Sequence, residues 1–307
     1  MPINWFPGHM HKAQKEIRAL IPQVDLVIEV LDARIPYSSQ NPLLQSIRGD
    51  KPSIKLLNKS DLSDPQLNAV WVDYLEEDDT VQAFLTEPNE TDHLQQLPEL
   101  CEQMFAHKIA AKKKIHVMIM GVPNVGKSTL INTITQRNIA ETGNEPAVTK
   151  RQQRIRLSEH VVLHDTPGVL WPKFDNQNSA YRLAATGGIK DNVVELEDIA
   201  FYAIEYLLLR YPELLKQRFE LAELAETTEQ VMEDIAARRG SLKGRGMVDY
   251  HKVSKIFLTE LRSGQIGRIT LETPEMMQQE LQQVAETRAL KEQKKQARKA
   301  RNNKRKR

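Results

Sequence analysis

The chain has 307 residues, 40% of them hydrophobic, which is enough for a full hydrophobic core and for two domains. Its single cysteine, Cys101, excludes an intramolecular disulfide and a cysteine-based zinc site, so we expect a protein of the reducing cytoplasm. Residues 288–307 hold 11 Lys/Arg and one acidic residue, so this tail carries +10 and the rest of the chain −8, and no apolar run is long enough to cross a membrane.

Strands and helices alternate over roughly the first 165 residues. The predicted helices lie at residues 12–20, 41–47, 65–75 and 94–108, and the predicted strands at residues 24–31, 53–57, 80–85, 115–120, 153–157 and 161–164. This alternation predicts an α/β fold with a mostly parallel sheet that is covered by helices on both faces.

Helical periodicity dominates from about residue 178 onward. It predicts helices from about residue 199, at 231–238 and at 248–261, whereas residues 269–271 are predicted as a short strand. Thr273 and Pro274 offer an N-cap and a first-turn proline for a last helix. Past Arg288 no apolar face remains, so we predict a tail that is disordered until it binds a partner. The predicted domains are residues 1–177, 178–287 and 288–307.

A glycine-rich turn follows the strand at 115–120 and satisfies the phosphate-loop pattern G-x-x-x-x-G-K-[ST] at residues 121–128. Backbone N–H groups of such a loop converge on phosphates at a helix N-terminus. Lys127 would reach the β- and γ-phosphates, and Ser128 would bind Mg²⁺. A chance glycine turn would not explain this spacing. The predicted phosphate-binding residues are Asn124, Val125, Gly126, Lys127, Ser128 and Thr129.

Asp165 and Gly168 form a D-x-x-G motif after the strand at 161–164. In a nucleotide site Asp165 would hold Mg²⁺ through water, and the Gly168 N–H would approach the γ-phosphate, which a Cβ could obstruct. Taken alone, the motif is better explained by a strand that ends in a turn.

Asn58, Lys59 and Asp61 form an N-K-x-D motif at the end of the strand at 53–57. The Asp61 carboxylate only accepts hydrogen bonds, and guanine offers two donors on one edge, whereas adenine offers no such pair. A solvated polar turn is the alternative, but the position beside a phosphate loop favours guanine recognition. An ATP-dependent P-loop kinase is therefore disfavoured.

Together these motifs resemble those of a translation-factor-class GTPase whose order is circularly permuted, because the N-K-x-D motif precedes the phosphate loop. Permutation keeps the folded site if the original termini were adjacent at the surface. The chain is similar to the ribosome biogenesis GTPase A (YlqF) family over roughly residues 1–274. The matching stretches are W-F-P-G-H-M at 5–10, D-A-R-I-P at 32–36, D-T-P-G-V-L-W-P-K at 165–173, G-G-I-K at 187–190 and G-R-I-T at 267–270.

This resemblance implies binding of GTP and GDP with Mg²⁺, with Thr149 as a switch threonine on the metal. It implies a cytoplasmic, monomeric GTPase that assists late assembly of the large ribosomal subunit, binds its rRNA and is released on hydrolysis; no DNA or membrane partner is expected. The alternative is an assembly factor whose RNA binding is controlled by nucleotide and in which hydrolysis is incidental. The basic tail either binds RNA phosphates or only solubilises the chain.

The resemblance also names a catalytic set, which is His9, Lys127 and Gly168. Val169 stands where Ras-like GTPases carry a water-positioning glutamine, so intrinsic hydrolysis should be slow and His9 is the candidate to assist it. His9 could instead be presented to RNA or packed under aromatic residues.

Asn124 matches an asparagine that helps hold K⁺ in related GTPases, and the alternative is a loop-bracing amide. Two positions depart from the family pattern. Ala147 replaces a glycine before the switch threonine, and L-T-E-P at residues 85–88 replaces the usual base-packing loop, so its contacts cannot be assigned.

Overall fold

The computed structural model describes residues 3, 5–88, 92–140 and 153–305. Its centre is a six-stranded sheet with the strand order β3-β2-β1-β4-β6-β5, in which the neighbours are parallel except for the antiparallel β5–β6 pair. The prediction of an α/β fold with a mostly parallel sheet is confirmed. The strands are β1 (Leu26–Asp32), β2 (Ser53–Asn58), β3 (Val81–Thr86), β4 (Ile115–Gly121), β5 (Gln153–Arg156) and β6 (Val161–Asp165).

The register brings the carboxyl ends of five strands to one edge of the sheet. Asp32 is paired with Asn58, and Asn58 with Thr86 on the other side. Gly121 is paired with Val30 of β1, so the end of β4 lies beside the end of β1. In open parallel sheets this carboxyl edge is where ligands bind. The predicted motifs at 58–61, 121–129 and 165–168 therefore start from neighbouring points.

Helices connect the strands on both faces of the sheet. They are α1 (Gly8–Leu20), α2 (Pro42–Arg48), α3 (Pro65–Leu75), α4 (Asp92–Gln95), α5 (Leu97–Met104), α6 (Ala106–Ala110) and α7 (Lys127–Thr135). The single helix predicted at 94–108 is wrong, because three short helices occupy this region. Proline in the first turn of α5 cannot continue a preceding helix, and Phe105 has non-helical backbone angles between α5 and α6.

A helical part follows the sheet, and α9 packs against its neighbours α8, α10, α11 and α12. Residues 263–273, which we call the strap, then lead into the last helix. The helices are α8 (Gln177–Ala185), α9 (Leu196–Arg210), α10 (Pro212–Phe219), α11 (Thr228–Arg238), α12 (Tyr250–Arg262) and α13 (Pro274–Arg305).

The strap is not the strand that was predicted at residues 269–271. The strap forms no strand ladder, and two of its N–H groups bond instead to backbone carbonyls that follow strands of the sheet. Ile269 donates to the Leu62 carbonyl at 3.0 Å and Leu271 donates to the Arg34 carbonyl at 2.8 Å. The apolar residues of this segment, Ile266, Ile269 and Leu271, are buried.

The tail also differs from the prediction, because α13 continues through residues 288–305 and is 32 residues long. This stretch is rich in Ala, Lys, Arg and Gln, which favour helix without needing an apolar face. Residue 287, the predicted end of the second domain, thus lies inside a continuous helix, and residue 178, its predicted start, is the second residue of α8.

A buried ion network anchors α13 to the rest of the chain. The Arg182 guanidinium of α8 donates to both carboxylate oxygens of Glu280 of α13, at 2.9 and 2.5 Å, and to Glu272 of the strap at 3.3 Å. Glu272 also accepts hydrogen bonds from the N–H groups of Tyr37 and Ser38 after β1. Separating these elements would leave a buried charge unpaired, which is costly. The network therefore holds α8, the strap and α13 in one arrangement. None of the described helices is both apolar enough and long enough to span a bilayer.

Candidate nucleotide-binding site

The phosphate loop lies between β4 and α7. Gly126 has φ +94°, and a Cβ at this position would lie 2.3 Å from the side-chain nitrogen of Asn58. Asn124 is also left-handed, with φ +62°. These two conformations turn the chain sharply before α7, whose first backbone N–H groups have no partner within the helix. The loop therefore has the features of an anion cradle at a helix N-terminus.

The Lys127 side chain and the Gly168 backbone lie next to each other at the phosphate loop. The Lys127 ammonium is buried, with Nζ 3.4 Å from the carbonyl oxygens of Gly121 and Val122. Burial lowers the pKa of Lys127 to about 8, although the nearby Asp165 opposes the shift. A Cβ on Gly168 would lie 2.9 Å from Pro123 Cα and 3.3 Å from Lys127 Nζ. The D-x-x-G motif thus packs directly on the phosphate loop, and only glycine fits.

Asp165 ends β6 with both carboxylate oxygens buried and without a hydrogen bond of normal geometry to any described residue. Burial raises the pKa of Asp165 to about 6, and the Lys127 charge and the Thr166 N–H offset only part of this effect. Unpartnered carboxylate oxygens and the hydroxyl of Ser128 on the first turn of α7 are the ligands that Mg²⁺ prefers. The residues present therefore fit a Mg²⁺ site. Thr149 lies outside the described residues.

The N-K-x-D motif is joined to the phosphate loop by two hydrogen bonds. Asn58 Nδ2 donates to the Val125 carbonyl at 2.8 Å, and Lys59 Nζ donates to the Asn124 carbonyl at 2.7 Å. One oxygen of the Asp61 carboxylate, Oδ1, is buried without a hydrogen-bond partner among the described residues. A buried, unsatisfied acceptor is costly unless a ligand satisfies it, which is the situation expected for a group that reads guanine.

The atypical loop at 85–88 contributes through Thr86. Its hydroxyl donates to Asn58 Oδ1 at 3.0 Å, and its carbonyl accepts a hydrogen bond from Ser60 Oγ at 3.1 Å. Sequence reasoning assigned no contact here. The loop therefore braces the N-K-x-D motif through β3, whereas the phosphate loop contacts it through Asn124 and Val125.

Asp32 and Arg34, at the end of β1, belong to the same site, although sequence reasoning used them only for the family resemblance. Arg34 donates to both oxygens of Asp32, at 2.9 and 2.7 Å, and Lys59 Nζ donates to Asp32 Oδ2 at 2.9 Å. Burial alone would raise the pKa of Asp32, but the two cations hold it well below its usual range. The only feature of the sequence that could have placed Asp32 and Arg34 in this site is that a carboxylate and a guanidinium stand two residues apart at the end of a strand.

Besides the strap, two hydrogen bonds join the helical part to the site. Asn124 Nδ2 donates to the Gly187 carbonyl at 3.3 Å, which is the loop-bracing role, and Arg34 donates to the Arg262 carbonyl at 3.1 Å. A cavity of about 750 Å³ lies between the two parts, with Lys59 and Asn124 on one side and Arg262 on the other.

The two residues considered for water positioning differ in burial: Val169 is buried and His9 is exposed. The Val169 side chain is fully buried, and its carbonyl accepts a hydrogen bond from Asn41 Nδ2 at 2.7 Å, so it cannot position water. His9 lies exposed on the first turn of α1, and its ring makes no hydrogen bond or ion pair within the described residues. His11, rather than His9, packs edge-on against Phe6 at 4.4 Å. No described contact brings His9 to the phosphate loop.

The sheet order, the phosphate cradle and the joined N-K-x-D and D-x-x-G motifs define a P-loop GTPase whose motif order is circularly permuted. The comparison with protein families agrees, because residues 116–236 match the family described as a 50S ribosome-binding GTPase. That match leaves out the motif at 58–61, which a permuted chain carries ahead of the phosphate loop.

Known relatives identify the family. The chain is 42% identical to ribosome biogenesis GTPase A of Priestia megaterium, over 92% of this chain and 100% of the relative. It is 35% identical to mitochondrial ribosome-associated GTPase 1 of Mus musculus, over 88% of this chain and 90% of the relative. The solved structure of GNP-bound YlqF from T. maritima is 28% identical, with a TM-score of 0.59, over 86% of this chain and 99% of that chain. The chain belongs to the ribosome biogenesis GTPase A (YlqF) family, and it is a GTPase that binds guanine nucleotides.

Proposed function

We propose that this GTPase is an assembly factor for the large ribosomal subunit, which binds pre-ribosomal RNA in its GTP-bound state and is released on hydrolysis. The observation that carries the proposal is the 42% identity to ribosome biogenesis GTPase A over 92% of the chain. An alignment of this extent includes the helical part as well as the sheet. The proposal places the protein in the cytoplasm as a monomer.

The proposed residue roles follow the geometry of the site. Asn58, Lys59 and Asp61 read guanine, and Lys127 stabilises the phosphates together with the backbone of residues 124–129. Mg²⁺, when bound, neutralises phosphate charge. A K⁺ ion near Asn124 would have to share that side chain with the Gly187 carbonyl. The proposed metal-binding residues are Ser128, Thr149 and Asp165.

Nucleotide control of RNA binding is supported by the short connection between the two parts. Gly168, which would sense the γ-phosphate, packs on the phosphate loop, and α8 begins at Gln177 shortly after it. Asn124 contacts Gly187, just beyond α8, from the same phosphate loop. A change at the γ-phosphate position can therefore reach the helical part through two covalent or hydrogen-bonded paths.

Contact with RNA is supported by a basic stripe on α13. Arg288, Lys291, Lys294, Lys295 and Arg298 are all exposed, and at 3.6 residues per turn they share an arc of about 120°. Cations on one face of a helix can follow a line of phosphates and release counterions. If they do, replacing the three lysines by glutamine lowers the slope of log affinity against log salt by about 2, at roughly 0.7 per phosphate for single-stranded RNA.

Sedimentation with purified ribosomal subunits tests the function. We expect co-sedimentation with large but not small subunits when a non-hydrolysable GTP analogue is bound, and release with GDP. The variant Lys127→Ala should lose this dependence on nucleotide because it removes the phosphate contact. Equal binding in both nucleotide states, or binding to small subunits alone, contradicts the proposal.

The burial of Val169 favours a second candidate, in which nucleotide gates RNA binding and hydrolysis is incidental. GTP turnover with and without large subunits separates the two functions. Stimulation by large subunits supports a hydrolytic timer, whereas nucleotide-dependent binding without stimulation supports the gated binder.

A further inference from the structure

The strap crosses the turn that carries Asp61 at close range. The Ile269 N–H donates to the Leu62 carbonyl at 3.0 Å, and Thr270 Oγ1 accepts from the Asp64 N–H at 3.0 Å. A Cβ on Gly264 would lie 2.7 Å from Leu62 Cδ2. The turn is thus covered by a segment about 200 residues away in sequence.

Arg268 makes the contact that spans this turn. Its Nη2 donates to the Ser60 carbonyl at 2.8 Å, and its Nε donates to the Ser63 carbonyl at 2.9 Å. These two carbonyls lie on either side of Asp61. A guanidinium presents its donors in a rigid planar fork, so satisfying both carbonyls fixes their separation. Lysine has a single ammonium and cannot impose this geometry.

The turn follows a residue with a strained backbone and is held by contacts inside and outside it; inside it, Ser63 Oγ donates to the Ser60 carbonyl at 3.1 Å. Lys59, directly before it, is left-handed with φ +63°, which is unfavourable for a residue with a Cβ. Ser60 Oγ donates to the Thr86 carbonyl at the end of β3. Asp61 is therefore held in a turn that both Thr86 and Arg268 fasten to neighbouring segments.

We propose that Arg268 is a positioning residue for guanine recognition, which aims the Asp61 carboxylate at the guanine edge through the Ser60 and Ser63 carbonyls. Through this contact the connection between α12 and α13 sets how well the GTPase distinguishes guanine from other bases. The inference rests on the proposed role of Asp61. Because Arg268 is itself solvent-exposed, replacing it leaves no buried cavity and the chain should still fold.

The experiment compares the affinities of GDP and IDP for the full chain, since hypoxanthine lacks the exocyclic amine and offers only one of the two donors. We expect Arg268→Ala to lower the GDP-to-IDP affinity ratio roughly three- to tenfold. Arg268→Lys should lower the ratio by nearly as much, because a positive charge alone does not replace the planar pair of guanidinium donors. Gln265→Ala is the matched control, since Gln265 is exposed on the same strap and bonds to Arg218 and Ser263 instead. It should leave the ratio unchanged.

A double variant shows whether Arg268 acts through Asp61. In the Asp61→Asn background, Arg268→Ala should cause no further change in the GDP-to-IDP affinity ratio. Thermal unfolding of each variant serves as the control that it is folded. If Arg268→Ala weakens GDP and IDP equally, or leaves both unchanged while Asp61→Asn alters the ratio, the positioning role is wrong. If Asp61→Asn also leaves the ratio unchanged, the guanine-reading role of Asp61 fails and this inference fails with it.

Discussion

The side-chain amide of Asn58 donates to the backbone carbonyl of Val125 at 2.8 Å and so connects the end of β2 with the phosphate loop. We expect Asn58→Ala to weaken both GTP and GDP binding about tenfold, because it removes the donor to a buried carbonyl. Titration with fluorescently labelled nucleotides measures this loss. Thr86→Val removes only the hydroxyl that supports Asn58 and should cost about threefold or less. A larger loss of nucleotide affinity in Thr86→Val would show that Asn58 is positioned mainly by its hydrogen bond to Thr86 of β3.

Asp61→Asn should reverse the preference between guanine and xanthine nucleotides. The amide loses the charge that accepts the two guanine donors, but its NH₂ group can donate to the second carbonyl of xanthine. Competition between GTP and XTP measures the change, and GTP affinity should fall at least about tenfold. Asp64→Asn is the matched control, since Asn can keep the N-cap of α3. Unchanged selectivity in Asp61→Asn would remove Asp61 from its proposed role.

His9→Ala should lower subunit-stimulated GTP turnover by about 100-fold if His9 assists hydrolysis, because general catalysis by a positioned histidine contributes at least that much. GTP affinity should stay the same, since the His9 side chain is exposed and makes no described contact with the phosphate loop. Single-turnover kinetics with large subunits measures the rate. His11→Ala is the control, as its ring packs on Phe6. Normal turnover of the His9 variant would leave this histidine with a surface role.

Stability should fall below pH 6.5 because of His164. Its Nε2 lies 3.0 Å from His116 Nδ1, and burial, helped by His116 and Arg154, lowers the pKa of His164 to about 4. The unfolded chain therefore takes up a proton near pH 6.5 that the folded chain takes up only near pH 4, so acid favours unfolding across this window. By pH 5 the loss should reach about 1–2 kcal/mol.

Urea unfolding at pH 7 and pH 5 checks this sign. The variant His164→Asn keeps a polar group beside His116 but cannot titrate, so its stability should change less between the two pH values. An identical change in the wild type and the variant would mean that other groups control the acid sensitivity.

Local patterns predicted most of the sheet and the motifs on it. The strands β1 and β4 are largely buried on both faces, and their sequences are correspondingly near-continuous apolar runs, which only Glu29 and His116 interrupt. The phosphate loop was predictable because its glycine spacing follows from local backbone geometry, as the left-handed Gly126 illustrates. Such features depend on neighbours within a few residues.

Long-range contacts were not predictable in this way. The cluster of Asp32, Arg34 and Lys59 exists because the register of β1 and β2 pairs Asp32 with Asn58, and no spacing in the sequence encodes that register. The contact of Arg268 with the turn at Ser60 joins residues 208 positions apart. The strand predicted at residues 269–271 is wrong for the same reason, because its N–H groups bond to the distant Leu62 and Arg34 carbonyls and not to a neighbouring strand.

The anchoring of α13 by Arg182 gives the basic segment a defined reach. Glu280, which Arg182 holds, lies about two turns before Arg288, so the axis of the helix is set before its cations begin. From Arg288 to Arg305 the helix extends about 26 Å at 1.5 Å per residue. A flexible tail of the same length would have an end-to-end distance of roughly 23 Å, but in any direction. The helical tail instead keeps one direction, so the distance and direction from the Arg182 anchor to each exposed cation of the proposed RNA-binding stripe are fixed.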